Sequence, residues 1–585
     1  MRVPPPRCGL GLLLAAACVA SPLVAQHLDA GSAPSDRDQL TLRARALAGA
    51  PTGLEVSPDG AVAEVLWTSQ AADNATCVRS FGDLDGDGVP DAIAGHDING
   101  ANDNLFAISG TSSGTATYLW TIETIGGVSG GSFYGDDCLA PASDLTGDGV
   151  PEILGATAWG GRSANCFDGS DGSLLWQLDT YSESASGWVY TIREIPDVTG
   201  DGVPEAVFGC GSSNDSVYCV DGASRGTPAT VLWSYKARDA VFAVGWVPDI
   251  NGDGIAEVVV GTGDYDGRIY CLAGDTGVPL WIHDPDGTIM SLATVSDVDG
   301  DGRDDVVAAV WNATAGAVCV SSMTGNRLWT HGAVGGNGMK VAALPDVSGD
   351  GVDEVLVGSW NNAILCLDGA TGARRWSTPT GTKNGGDVWT LSAMPDVNGD
   401  TLSDAVAGSF DGLVYGVDGR TGAVLWTQDT GNRVYSASWM NDVDGDGKPE
   451  AIAGTQDTVN NVLVYGIAGD SGLTLPYLAR SGAARPGGVV ELHSNGLPGD
   501  AFIVFGALGT ASLPVVTFGT LLLDPATLFQ LSAGAVPGTG TGTAVLPLPA
   551  SPALVGVTLY FQSLVGADPR ARLAALTNRV QMTIE

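Results

Sequence analysis

Asp83, Asp85, Asp87 and Asp91 stand at positions 1, 3, 5 and 9 of one nine-residue segment, with Val89 at position 7. Oxygen side chains at such alternate places, together with the position-7 carbonyl, can face one centre if the chain curls. Glycine at positions 4 and 6, here Gly86 and Gly88, permits the curl. About six to eight oxygens around an irregular centre suit calcium better than magnesium.

The segment returns seven times. Its members are Asp144, Thr146, Asp148, Val150 and Glu152; Asp197, Thr199, Asp201, Val203 and Glu205; and Asp249, Asn251, Asp253, Ile255 and Glu257. They continue with Asp297, Asp299, Asp301, Arg303 and Asp305; Asp346, Ser348, Asp350, Val352 and Glu354; Asp396, Asn398, Asp400, Leu402 and Asp404; and Asp442, Asp444, Asp446, Lys448 and Glu450. Thr401 replaces the second glycine of the seventh loop. An acidic turn without metal is the plain alternative for one loop, but eight in register predict up to eight calcium ions, one per repeat. An EF-hand is excluded, because position 12 is never a carboxylate: it is Ala94, Gly155, Phe208, Val260, Ala308, Val357, Ala407 or Ala453. Those residues sit in apolar runs such as Glu257–Gly261, which read as buried strands. The loop therefore joins two strands.

The chain has 585 residues, with 66 acids against 26 bases and a formal charge of −40. Much of that acidity sits in the loops. It argues against nucleic acid or an anionic membrane as partner through a basic patch. Residues 1–25 read as a signal peptide, with a basic start, a short apolar stretch and small residues before Gln26; lipoprotein anchoring at Cys18 is the alternative. Residues 26–59 read as a linker, and no later stretch reads as a transmembrane segment. The expected location is secreted or cell-surface, where calcium is plentiful.

Between loops, each unit holds four short strands in about 50 residues, without helical periodicity. A tryptophan closes the last strand of each unit, at Trp67, Trp120, Trp176, Trp233, Trp281, Trp329, Trp376 and Trp426. One of these precedes the first loop and none follows the last. This predicts an all-β chain: an eight-bladed β-propeller over 60–475, with the strand around Glu64–Trp67 completing the final blade. Residues 477–585 lack the loop and read as a small C-terminal β-sandwich. Of the eight cysteines beyond the leader, five occupy one repeated strand position, Cys166, Cys219, Cys271, Cys319 and Cys366, and read as small buried hydrophobes. Cys77 and Cys138 each lie six residues before their loop and are the expected disulfide.

The loops resemble the FG-GAP calcium loops of integrin α-subunit propellers. The segments Asp368–Trp376 and Asp418–Trp426 resemble the docking motif of quinoprotein-type propellers. The resemblance implies fold and metal more than function, since such propellers serve adhesion, scaffolding and catalysis. The vicinal cysteine pair typical of quinoprotein dehydrogenases is missing, and His27, His96, His283, His331 and His493 have no ligand-like spacing. The integrin-like plan puts the calcium loops on one face. On the other it places Trp311, Trp360 and Phe410, fourteen residues past their loops' first Asp, with Trp389 and Tyr435 near the same face. Aromatic side chains with polar neighbours suit sugar rings or peptide side chains, though capping of the blade cores is the rival reading. The expected function is recognition of an extracellular glycan or protein ligand, with adhesion as the biological class. A polysaccharide lyase or hydrolase on the same scaffold is the alternative, to be favoured by Lys, Arg or His converging with carboxylates on that face.

Overall fold

The computed structural model describes residues 61–69, 74–97, 105–122, 131–132, 136–159, 161–180, 187–311, 315–332, 337–381, 385–456, 464–469, 478–482, 485–495, 501–515, 519–535, 541–568, 573–576 and 580–584. The expected signal peptide, the linker and Cys18 lie outside them. The chain forms two compact units, one of which holds Gly60–Gly472 and the other Leu473–Glu585. No helix among the described residues is long and apolar enough to cross a membrane.

The first unit is built almost entirely from antiparallel sheets; among the described residues six are four-stranded, and two more have the same four strands plus a two-residue parallel strand at the outer edge. Sheet seven is typical, with strands Val388–Met394, Asp404–Ser409, Leu413–Val417 and Val424–Asp429 in sequential order. The second strand is buried on both sides, as its run of small and β-branched residues dictates. The innermost strand carries a bulge, seen where register shifts between Val388 and Thr390. An inner-strand bulge recurs at Ala75/Cys77, Val189/Thr191, Val241/Ala243, Ile289/Ser291, Gly338/Lys340 and Val434/Ser436. A bulge increases local twist, which lets each sheet lean on the next.

The succession of sheets closes on itself. The Val78 N–H donates to Ser436 Oγ at 3.0 Å, joining the first sheet to the last. The last sheet takes its outer strand from the start of the chain: Val65–Ser69 pairs antiparallel with Val464–Ile467, and Trp67, at zero exposure, lies opposite Gly466. A side chain at 466 would strike the Trp67 ring at 2.3 Å, so glycine is required there.

Neighbouring sheets are docked by the repeated tryptophans. Six of the eight indole N–H groups donate to a backbone carbonyl of the next sheet: Trp120 to Gly169, Trp233 to Gly274, Trp281 to Ser322, Trp329 to Gly369, Trp376 to Gly419 and Trp426 to Gly469. Opposite Trp176, Trp233, Trp281, Trp329 and Trp376 lie Cys166, Cys219, Cys271, Cys319 and Cys366. All five cysteines are buried with free thiols, as small hydrophobes. Cys77 and Cys138 are the expected disulfide pair. The two thiols lie within hydrogen-bonding reach of each other, but both are free. Burial pushes the Cys138 thiol well up.

In the second unit, Leu478–Gly482, Val489–Asn495 and Thr541–Pro547 form a three-stranded sheet, and Ala501–Ala507, Phe529–Ala535 and Thr558–Asp568 belong to a five-stranded one. Val490, Leu492 and Leu546 of the first share one core with Phe502, Val504, Leu559 and Phe561 of the second.

Candidate functional site

Each acidic loop joins the inner strand of its sheet to the second strand. In all eight, the position-1 Asp takes two backbone N–H groups, as Gly86 and Gly88 donate to the two oxygens of Asp83 at 2.6 and 2.8 Å. The position-9 carboxylate takes the N–H of position 2, as Leu84 donates to Asp91 at 2.7 Å. The carboxylates at the two ends therefore hold the loop curled. In the seventh loop, Thr401 holds a φ of 71°, normally left to glycine.

Carboxylate oxygens converge within 4.8 Å in five loops: Asp83, Asp85 and Asp91; Asp197, Asp201 and Glu205; Asp249, Asp253 and Glu257; Asp297, Asp299 and Asp305; and Asp442, Asp444, Asp446 and Glu450. The other three do not gather so closely. In the sixth, Arg375 draws Glu354 at 3.2 Å; in the seventh, the Asn398 amide donates to Asp404 at 3.2 Å. One oxygen each of Glu152, Glu205 and Glu257 is buried without a hydrogen-bond partner. Burial raises Glu450 to about 8, Glu152 and Glu257 to about 7, and Asp91 and Asp305 to about 6. A buried carboxylate oxygen without a partner is costly, and a hard cation would satisfy it. The donor set, all oxygen, fits calcium.

At the opposite ends of the same strands lie the aromatics. Trp389 and Tyr435 are the second residues of their inner strands, whereas Trp360 and Phe410 directly follow second strands. The structure brings these four together. Trp389 stacks on Phe410 with centroids 5.3 Å apart, Tyr435 meets Phe410 edge-on at 5.4 Å, and Trp360 meets Trp389 edge-on at 6.2 Å. The Arg433 guanidinium sits 5.0 Å over the Phe410 ring. Phe410 is buried and caps its sheet, while Trp360 is 38% exposed with exposed Asn361 beside it. Trp311, on the preceding sheet, makes none of these ring contacts. Counting from the loop gives the correct end of the strand but not the sideways lean of the ring.

Sequence reasoning missed a third feature. The residue four before each loop's first Asp lies on the inner strand, and in six of the eight sheets it lines one shared cavity. It is Arg at 79 and 193, and Ala, Gly or Ser in the other six sheets. Around these arginines lies an ion-pair network. Arg79 Nη1 reaches Asp136 at 2.9 Å, Arg193 pairs with Asp137, and Lys340, from the sixth sheet, lies 3.0 Å from Asp136 and 2.7 Å from Asp137. Ser436 donates to Asp136 at 2.6 Å. The cations hold both carboxyls below the usual range despite burial. The network borders a cavity of ≈ 370 Å³ whose lining includes Thr294, Ser392 and Ser438. Aligning the inner strands at matched positions would have exposed the two arginines.

His283 and His331 each sit two residues past a docking tryptophan. His331 Nδ1 meets the Gly372 carbonyl at 2.9 Å, and burial lowers His283. They are packing residues of separate sheet junctions.

The family described as outer membrane protein assembly factor BamB matches residues 160–385 and 313–441. No curated protein matches the sequence. Among solved structures, the C-terminal WD40 domain of Sif2 is 13% identical over 70% of this chain and 99% of that one, with a TM-score of 0.50. The fold is a β-propeller. Saccharomyces cerevisiae Sqt1 is 15% identical over 70% of this chain and 100% of its own, at a TM-score of 0.49. Quinohemoprotein alcohol dehydrogenase ADHIIG from Pseudomonas putida HK5 is 11% identical over 71% and 78%, at 0.46. The likeness to the Sif2 domain speaks to fold alone, and function rests on the sites of this chain.

Proposed function

We propose that this propeller is a calcium-stabilised recognition module. It has eight blades closed by the strand around Trp67, carries a C-terminal β-sandwich, and works outside the cytoplasm as a secreted or surface protein. The match to BamB-type repeats supports a protein-binding or assembly role. The observation that carries the reading is the cluster of Trp360, Trp389, Phe410 and Tyr435, with Trp360 half uncovered at the end of the strands away from the loops. A rigid aromatic group of this kind offers a large contact area at small entropic cost, for the face of a sugar ring or an apolar peptide side chain. The ligand is accordingly an extracellular glycan or protein.

Up to eight calcium ions, held by the acidic loops, would fix the near ends of the strands whose far ends carry this surface. The converging carboxylates and the buried unpartnered oxygens of Glu152, Glu205 and Glu257 support that role.

Cations do converge with carboxylates in this protein, but in the axial channel, midway along the inner strands. Asp136 and Asp137 are both held ionised there, so neither is poised to donate a proton near neutral pH. This favours recognition over hydrolysis.

The test is binding of the purified protein to a glycan array and a panel of extracellular matrix proteins, with Trp360→Ala as control. Equal binding by both proteins, or binding to nothing, would reject the aromatic surface as the working site.

A further inference from the structure

The charges around the axial channel do not cancel. Arg79, Arg193 and Lys340 contribute three positive charges, while Asp136 and Asp137 return two negative ones. The two carboxylates are fully engaged. Asp136 takes Arg79, Ser436 and Lys340, and Asp137 takes Arg193 and both contacts at 2.7 Å from Lys340. One positive charge is left over in a protein of formal charge −40. A strut across the channel would need no third cation, because an uncompensated charge in a partly buried place is costly. The side chain of Arg193, at 32% exposure, is the most open of the five, so the excess is available there.

The rest of the cavity supplies the other half of a site. Thr294, Ser392 and Ser438 line it, alongside Leu292 and Leu391. The Ser392 Oγ is buried and has no hydrogen-bond partner. A volume of ≈ 370 Å³ is at the small end of ligand pockets. Its contents should carry one negative charge, polar groups for Thr294 and Ser438 and a compact body.

We propose that the axial channel binds one small hydroxylated monocarboxylate, its carboxylate at Arg193 and its hydroxyls at Thr294 and Ser438. The site is separate from the aromatic surface and does not depend on it. Fixed cations are needed to hold such an anion, because the field of the whole protein repels it.

The experiment is calorimetric titration of the calcium-loaded full chain with sodium D-glucuronate, sodium lactate, glucose and inorganic phosphate, at low and moderate salt. The expected result is saturable one-to-one binding of glucuronate or lactate, none for glucose, and weakening of at least tenfold in Arg193→Gln. Ser438→Ala removes only a small polar group of the lining, should fold normally, and should weaken glucuronate binding several-fold. Failure of both organic acids to bind overturns the proposal. So does binding of phosphate as tight as that of glucuronate, which would mark a plain anion site, or binding that neither variant changes. Loss of the aromatic-surface ligand in Trp360→Ala, with glucuronate binding intact, would show that the two sites stand or fall separately.

Discussion

The indole N–H of Trp376 donates to the carbonyl of Gly419 at 2.8 Å, and its ring covers Gly422, where an added Cβ would lie 2.6 Å away. One tryptophan thus joins two blades by a hydrogen bond at its edge and by contact across its face. Gly422 adopts a φ of 74°, so backbone and packing both demand glycine there.

Trp376→Ala should destabilise the propeller by about 3–5 kcal/mol, the usual cost of removing a buried tryptophan. Gly422→Ala should cost about 1–3 kcal/mol, since the methyl group meets the ring directly. Urea unfolding followed by circular dichroism would measure both, and a change under about 0.5 kcal/mol for either would show that the junction carries little of the stability.

Calcium removal should lower the melting temperature, and the loss should depend on pH. Burial raises the position-9 carboxyls above their unfolded values, to between about 6 and about 8. In the chelated protein, their favourable contribution is complete below the ordinary carboxylate range and is lost as pH rises through those values. The chelated protein should therefore melt lower at pH 8 than at pH 5, with calcium restoring most of the difference. A melting temperature unmoved by chelator at pH 8 would reject structural calcium.

Trp360→Ala should weaken partner binding by about 1–3 kcal/mol, as an exposed aromatic anchor does, and should leave calcium-dependent melting nearly unchanged. A sharp drop in melting temperature without loss of a partner would reassign Trp360 to core packing.

Asp136→Asn should cost about 3–5 kcal/mol, because Arg79 and Lys340 then face each other across the channel with one carboxylate fewer. A thermal melt of this variant at two salt concentrations would check the prediction, with a nearly silent mutation counting against a tight network.

The loops and the docking tryptophans were legible because each is a local pattern repeated in register, so periodicity alone reveals it. The role of Glu64–Trp67 followed from a simple mismatch, a tryptophan before the first loop and none after the last. Arg79, Arg193 and Lys340 were not legible, because their meaning arises only when strands far apart in sequence converge on one axis. Trp311 shows a related limit: its distance from the loop fixes which end of the strand it occupies, but not which neighbour its ring touches. Cys77 and Cys138 were correctly placed as neighbours, yet proximity decided nothing about oxidation.

The strand Val65–Ser69 belongs to the first sheet-forming stretch of the propeller to be synthesised, yet its partner Val464–Ile467 is among the last. At roughly 5–20 residues per second, ribosomal synthesis of the intervening chain takes on the order of 20–80 s. Throughout that time Trp67 has no blade to enter, and the edge of Val464–Ile467 does not yet exist. Emergence of Val464–Ile467 from the ribosome, rather than the folding of any earlier blade, therefore sets the moment at which the last sheet can close.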